Sequence, residues 1–150
     1  MRIIIQRVSH CEVAVEGNII GKIGKGMLVL LGIEAEDTDS DIEWLCGKIA
    51  RLRIFDDENG VMNLDLQQTD GEVLVVSQFT LYASTKKGNR PSYIRSAPEA
   101  ISRPMYEQFI KHLSATLGKE VEHGEFGADM KVSLTNDGPV TIAIDSKNRE

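Results

Sequence analysis

Two short segments hold the residues best suited to chemistry. Ser77-Gln78-Phe79-Thr80-Leu81-Tyr82-Ala83 gathers hydroxyls and an amide where the apolar run Glu72-Val-Leu-Val-Val-Ser77 ends. A strand end is a rigid place to build a site. Hydroxyls and an amide there can bind a polarised carbonyl, and N–H groups exposed where the strand stops can stabilise an oxyanion. The plainer alternative is a strand passing into a loop with hydroxyls capping it. The second segment is Asn136-Asp137-Gly138-Pro139-Val140-Thr141. Asn, Asp and Gly favour a hairpin turn, the plainer reading here. Pro139 fits that turn less well. It removes an N–H from a segment that otherwise reads as ladder, and it permits a cis peptide.

The common catalytic kits are missing. There is no Gly-x-x-x-x-Gly-Lys-Ser/Thr loop and no Gly-x-Gly-x-x-Gly. Ser77 does not sit in a Gly-x-Ser-x-Gly elbow. His10, His112 and His123 are scattered without metal-ligand spacing and read as surface or satisfied histidines. Carboxylates fall in turns and helix caps, where solvation accounts for them. An enzyme built from this chain is not expected to use a side-chain nucleophile with an adjacent base. Neither a metal nor another cofactor is expected.

Length and composition narrow the class further. At 150 residues the chain is expected to form one domain, residues 1–150. A chain this long buries roughly 68–70% of its unfolded surface and needs no metal or disulfide staple. Cys11 and Cys46 fit no disulfide framework or zinc pattern and read as buried thiols. The opening Met1-Arg-Ile-Ile-Ile-Gln-Arg7 lacks a long apolar core and a small-residue cleavage site. The longest apolar run, Met27 to Ile33, is far short of the roughly 20 residues that span a bilayer. No membrane partner is expected, and the cytoplasm is the expected compartment. The net charge of −6 argues against a protein that coats nucleic acid indiscriminately.

The elements that must hold the two segments are legible. Ile3-Ile4-Ile5 begins a strand. Cys11 to Val15 alternates, and Glu16-Gly17-Asn18 turns it back into Ile19–Ile23. Met27 to Ile33 is continuous and apolar, as expected for a central strand buried on both faces. Thr38-Asp39-Ser40-Asp41 caps a helix whose stripe is Ile42, Leu45, Cys46, Ile49 and Leu52. Strand signal resumes at Arg53–Phe55, followed by the acidic turn Asp56–Gly60 and the strand Glu72–Ser77. Residues 83 to 96 read as a loop. A second helix starts near Ala97-Pro98, with Ile101, Met105, Phe109, Ile110, Leu113 and Leu117 as its buried face and Gly118 as its stop. Pro104 either kinks it or marks a later start. Met130–Thr135 and Val140–Asp145 read as two strands joined by the Asn136–Pro139 turn. The pattern predicts an α+β fold: a curved, barrel-like, largely antiparallel sheet with two main helices packed outside.

Taken together, the two segments resemble the paired signature motifs of the D-aminoacyl-tRNA deacylase family. The resemblance extends along essentially the whole chain. It includes Met1-Arg-Ile-Ile-Ile-Gln-Arg-Val8, Lys87-Gly-Asn-Arg-Pro-Ser92 and Phe126-Gly-Ala-Asp-Met130, with no departure at the motif positions. It implies hydrolysis of the ester joining a D-amino acid to the terminal adenosine of tRNA. It implies a homodimer with a barrel-like core, in which Gly138-Pro139 is cis and reaches into the opposite subunit's site. By the same resemblance, Ser77, Gln78, Phe79 and Thr80 line the acyl pocket. Gly138 and Pro139 turn their carbonyls toward the substrate's amino group, Arg7 orients them, and Met130 lines the adenine pocket. An activated ester beside a 2′-hydroxyl needs positioning more than a nucleophile, which agrees with the missing kit. A backbone device that excludes an L side chain by its Cβ cannot reject glycine, so glycyl-tRNA is an expected second substrate. Open alternatives are a nucleic-acid-binding module without catalysis, an editing domain of this fold that removes a wrong L-amino acid, and a small-molecule esterase.

The charge has a local exception. Ser84 to Arg103 holds Lys86, Lys87, Arg90, Arg95 and Arg103 against Glu99 alone. An ordinary solvated loop accounts for this. Its place after Ser77–Ala83 favours Lys86, Lys87 and Arg90 as phosphate contacts for the acceptor end of tRNA, with the acidic remainder limiting the footprint.

Overall fold

The structure is a computed structural model describing residues 1–150. In chain order it contains β1 (Arg2–Val15), β2 (Asn18–Ile23), β3 (Gly26–Gly32), α1 (Asp39–Arg51), β4 (Phe55–Asp56), β5 (Met62–Leu64) and α2 (Leu66–Thr69). There follow β6 (Glu72–Ser77), a 3-10 turn at Phe79–Tyr82, α3 (Glu99–Leu117), β7 (Glu122–His123) and β8 (Met130–Asp145). The α+β expectation holds.

The main sheet runs β2-β1-β3-β6-β7, with β8 on the other edge of β1. β1 pairs antiparallel with β2, β3 and β8, while β3–β6 and β6–β7 are parallel. The sheet is therefore mixed, and it curls until β2 lies beside β6 and β7, nearly closing a barrel. Glu16 and Gly17, both at positive φ, make the tight turn from β1 into β2. As the apolar run requires, β3 is central and buried on both faces: Met27, Val29 and Leu31 join one core cluster, Leu28 the other.

Those two clusters are the two layers. The larger lies between the sheet and helices α1 and α3; the smaller fills the barrel with Val8, Cys11, Val13, Ile23, Leu28, Leu74 and Val76. β1 gives Ile3 and Ile5 to the first and Val8, Cys11 and Val13 to the second. β8 makes the same change, with Val140, Ile142 and Ile144 on the first and Met130, Val132 and Leu134 on the second. Both strands change layer at one place, Arg7–Val8 opposite Asn136–Thr141.

Here the structure corrects the expected hairpin. Both halves of β8 pair with β1, and not with each other. Val8 faces Asn136 and Gln6 faces Thr141, so residues 137–140 form an excursion opposite Arg7, a long bulge in a strand that continues in one direction. Likewise, β1 is one strand where two fragments were legible, because β8 spans it from Arg2 to Val15.

Helix α1 starts at its predicted cap, where the Asp41 carboxylate accepts from the Thr38 N–H (2.8 Å) and hydroxyl (3.1 Å). Helix α3 starts at Glu99 and runs through Pro104 to Gly118, whose φ of 68° closes it. Its buried face is Ser102, Tyr106, Phe109, Leu113 and Leu117. Ile101, expected inside, is exposed. Tyr106 turns inward because its hydroxyl finds the Val75 and Gly124 carbonyls at 3.2 and 3.4 Å. The strand expected at Arg53–Phe55 is the short β4, Phe55–Asp56, while β5 and α2 had little apolar periodicity to announce them. No helix is long and apolar enough to cross a membrane.

Candidate active site

β6 is apolar and buried from Val73 through Val76, then opens at the half-buried Ser77 and Gln78. The Gln78 N–H reaches the Leu31 carbonyl at 2.7 Å, extending the parallel pairing one residue past the strand. The chain then tightens, with Leu81 N–H on the Gln78 carbonyl (3.2 Å) and Ala83 N–H on that of Thr80 (3.0 Å). Gly32 beneath it admits this close approach: a Cβ there would stand 2.9 Å from Leu81 Cβ and 3.1 Å from the Gln78 oxygen. The N–H groups of Phe79 and Thr80 open the turn and have no acceptor within it. Gln78 Nε2 donates to Thr80 Oγ1 at 2.5 Å, and Ser96 Oγ donates to the Phe79 carbonyl at 2.7 Å. The Thr80 hydroxyl therefore accepts from an amide and has no hydrogen-bonded base, a poor arrangement for a nucleophile.

Ser77, Gln78 and Phe79 line a cavity of about 320 Å³ with Met130, Val132 and Phe126. That volume suits a small ligand, and its mostly apolar wall with a few convergent polar groups is typical of such sites. Met130 thus shares one cavity with the β6 segment. Thr80 lies one residue beyond the lining.

Gly138, Pro139 and Arg7 are not on this cavity. The Gly138–Pro139 bond is cis, and both residues are exposed. The excursion that carries them is clamped at its base. Asn136 Oδ1 accepts from the Val140 N–H at 3.0 Å, Asn136 Nδ2 donates to Thr141 Oγ1 at 3.0 Å, and Gln6 Nε2 adds a bond to the same oxygen at 3.2 Å. Beneath it lies Arg7, only 8% exposed. Its Nε donates to the Asp137 carbonyl (2.8 Å), and its Nη1 donates to the Ile54 carbonyl (2.7 Å) and pairs with Asp56 (3.1 Å). A buried guanidinium needs such partners, because desolvating an unpaired charge is costly. Gln6, Ile54 and Asp56 had no individual role in the sequence reading, and Asn136 had one only as part of its segment. Asn136 and Asp56 read there as turn residues, and only their place inside the quoted segments hinted at more.

The basic loop is pinched at its base by reciprocal Ser84–Ser92 backbone bonds of 2.8 and 2.9 Å. Lys86, Lys87 and Arg90 are exposed and have no ion-pair partner. Arg95 and Arg103 are engaged, with Glu34 at 3.2 Å and Glu99 at 2.5 Å. Arg95 and Arg2 also sit over the Tyr82 ring at 5.3 and 4.6 Å, so two cations help hold the end of the 3-10 turn. The Tyr82 hydroxyl is buried without a partner, and burial raises its pKa.

The remaining reactive side chains belong to the scaffold. Burial pushes the Cys11 thiol up to about 11 and the Cys46 thiol up to about 12. His123 Nδ1 lies 2.7 Å from the Gly124 carbonyl. No group of three or more His, Cys, Asp or Glu side chains is placed to hold a metal. What converges is a set of neutral donors at a strand end, able to hold and polarise a carbonyl.

Comparison with known proteins gives one family. The profile described as D-Tyr-tRNA(Tyr) deacylase matches residues 4–145. D-aminoacyl-tRNA deacylases of Bacteroides fragilis (strain YCH46) and Flavobacterium johnsoniae are 64% and 62% identical over 150 residues, covering all of both chains. Among solved structures, a c-Myc DNA unwinding element binding protein superposes with a TM-score of 0.90 at 39% identity, covering 97% of this chain and 98% of its own. A probable eukaryotic D-amino acid tRNA deacylase gives 0.83 at 16% identity, with 95% and 97% covered, which speaks to the fold alone.

Proposed function

The chain belongs to the D-Tyr-tRNA(Tyr) deacylase family, and on that premise we propose how it acts as a hydrolase of the ester in D-aminoacyl-tRNA. The observation that carries the mechanism is the strand end: Ser77, Gln78 and Phe79 line one cavity with Met130, and no nucleophile–base pair accompanies them. The acyl group enters between the Ser77–Thr80 segment and the Gly138–Pro139 element. Free N–H groups after Gln78 receive the carbonyl oxygen as it gains charge. Water attacks the carbonyl carbon, the bond to the ribose 3′-oxygen breaks, and the proton lost by water ends on that oxygen. The neighbouring 2′-hydroxyl relays the proton, so the enzyme contributes chiefly position and electrostatics. Met130 lines the place of the adenine.

Chirality is read by the backbone. A site that accepts many side chains must grip what they share: the amino group, Cα and carbonyl. With the Gly138 and Pro139 carbonyls on the amino group, a D substituent leaves toward solvent and an L substituent strikes main chain. Discrimination of about 10⁴ corresponds to about 5.5 kcal/mol, within reach of a rigid clash. Glycine has no Cβ to strike, so glycyl-tRNA is hydrolysed as well.

The working unit is a homodimer. Gly138 and Pro139 lie off their own chain's cavity, which supports their serving the partner's. β8 pairs on one edge only and leaves Val132, Leu134, Ile142 and Ile144 half-buried, so a second protomer there gains apolar burial. Lys86, Lys87 and Arg90 take phosphates of the acceptor end, in a cytoplasmic enzyme.

Matched D- and L-tyrosyl-tRNA decide the reading. Release of free tyrosine from the D form alone is the expected result. Release from neither favours the one competing reading, a nucleic-acid-binding module, which the DNA-binding name of the 39%-identical structure suggests.

A further inference from the structure

Phe79 and Tyr93 form an edge-to-face pair, with ring centroids 5.0 Å apart and planes at 75°. The pair sits at a junction. Phe79 lines the cavity, and Tyr93 directly follows Ser92, which closes the base of the basic loop. Folding normally removes such rings from water, yet Phe79 is 58% exposed, Tyr93 39% and the adjacent Ile94 89%. The bond from Ser96 Oγ to the Phe79 carbonyl fixes the backbone beneath the pair. Arg95 does not compete for these rings, because it is held by Glu34 and Tyr82. The free cations nearby in sequence are Lys86, Lys87 and Arg90.

We propose that Phe79 and Tyr93 are a stacking platform for a nucleobase of a single-stranded RNA 3′ end, the one just upstream of the terminal adenosine. The strand's phosphates then pass toward Lys86, Lys87 and Arg90. Accessible aromatic rings beside unpaired cations are the two components of sequence-tolerant single-strand binding, since every base has a π face and every linkage a charge. The platform joins the lining of the reaction cavity, through Phe79, to the base of the basic loop, through Tyr93. It gives tRNA a hold that does not depend on the amino acid. The proposal rests on the aminoacyl-tRNA reading above and adds a subsite to it.

The test uses the full-length protein with Tyr93→Ala, Tyr93→Leu and Tyr93→Phe. Three quantities are measured: affinity for an RNA tetranucleotide ending in cytidine-cytidine-adenosine, kinetics on D-tyrosyl-tRNA, and kinetics on 3′-D-tyrosyl-adenosine, which lacks upstream bases. Tyr93→Ala and Tyr93→Leu are expected to weaken the tetranucleotide and raise KM for the charged tRNA by about tenfold. kcat, and both constants on the adenosine ester, stay at the wild-type value. Tyr93→Phe, which keeps the π face, behaves as wild type. Unchanged tetranucleotide affinity overturns the platform. So does an equal loss on both substrates, or a fall in particle mass that reveals a protomer contact. Wild-type protein that hydrolyses neither ester overturns the deacylase reading instead, and the tetranucleotide affinities still decide the platform.

Discussion

Arg7 Nε donates a 2.8 Å hydrogen bond to the carbonyl of Asp137, joining residues 130 positions apart. The same guanidinium holds the Ile54 carbonyl and Asp56, so one side chain ties β1 and the start of β4 to the residue before Gly138. Lysine keeps the charge but not the planar fork that reaches these acceptors together. Arg7→Lys is expected to lower kcat/KM on D-tyrosyl-tRNA by about 100-fold, or about 2.7 kcal/mol. A variant with wild-type kcat/KM removes Arg7 from the positioning of the excursion.

Gly138 has a φ of 140°, a conformation L side chains rarely adopt. A Cβ there would stand 2.9 Å from Val140 Cγ2 and 3.0 Å from Arg7 Nη2. Gly138→Ala therefore shifts the excursion and costs about 1–3 kcal/mol of local strain. Deacylation of D-tyrosyl-tRNA should be nearly abolished. The same strain should lower the thermal midpoint by roughly 2–12 °C while leaving the variant folded at assay temperature. Retained turnover with retained D-over-L preference would show that chirality is read elsewhere.

Thr80 Oγ1 accepts from Gln78 Nε2 and has no base beside it. Thr80→Val removes that acceptor and is expected to slow turnover by about 10- to 100-fold through loosened positioning. Complete loss in a folded variant, together with an acyl-enzyme trapped in the wild type, contradicts substrate-assisted hydrolysis.

Lys86, Lys87 and Arg90 are the unpaired cations of their segment. If each meets a phosphate, replacing all three with Gln lowers the log–log salt slope of tRNA binding by about 2–3. A slope equal to that of the wild type contradicts the phosphate contacts.

Two carboxylates should set the acid limb of stability. Burial opposes the charge of Asp41, but the Ser146 hydroxyl and the Thr38 N–H and hydroxyl hold its carboxyl below the usual range. Burial also opposes the charge of Asp145, and the Lys147 N–H and the Arg2 guanidinium outweigh it. A pKa lowered by folding stabilises above the unfolded value, about 3.9, and that contribution is lost as pH falls through the folded value. Unfolding free energy should thus be steady from about pH 7 to about 5 and fall below about 4. Asp41→Asn is expected to cost about 1–2 kcal/mol near neutrality and to make the acid limb shallower. Denaturant unfolding across that range measures both, and an unaltered acid limb in the variant would exclude Asp41 as a contributor.

Much of this protein is legible one segment at a time. The continuous apolar run forecasts β3 as the buried central strand, and Thr38 and Gly118 mark helix ends where they fall. These features depend on side-chain periodicity and local backbone preference, which a short window contains. The segments Ser77–Thr80 and Asn136–Thr141 are legible as motifs only through their resemblance to the deacylase family, since local preference alone reads them as a capped strand end and a hairpin turn.

Tertiary pairing decided the rest. Locally, Asn136-Asp-Gly-Pro139 is good hairpin chemistry, yet β1 is long enough to pair with both halves of β8. The ladder bonds outside the excursion make one strand with a bulge opposite Arg7. Helix α3 shows the same limit: spacing favours Ile101 inside, but the distant Val75 and Gly124 carbonyls draw Tyr106 inward. By itself, then, the sequence determined β3, the ends of the two main helices and, through its family resemblance, the two chemical segments. Only the tertiary structure decided that Ser77, Gln78, Phe79 and Met130 share a cavity while Gly138 and Pro139 stand off it on Arg7. The reason is physical: periodicity is a property of neighbours in the chain, whereas strand register and hydrogen-bond partners are set by groups far outside a short window, from 18 residues for Tyr106 and Gly124 to 130 for Arg7 and Asp137.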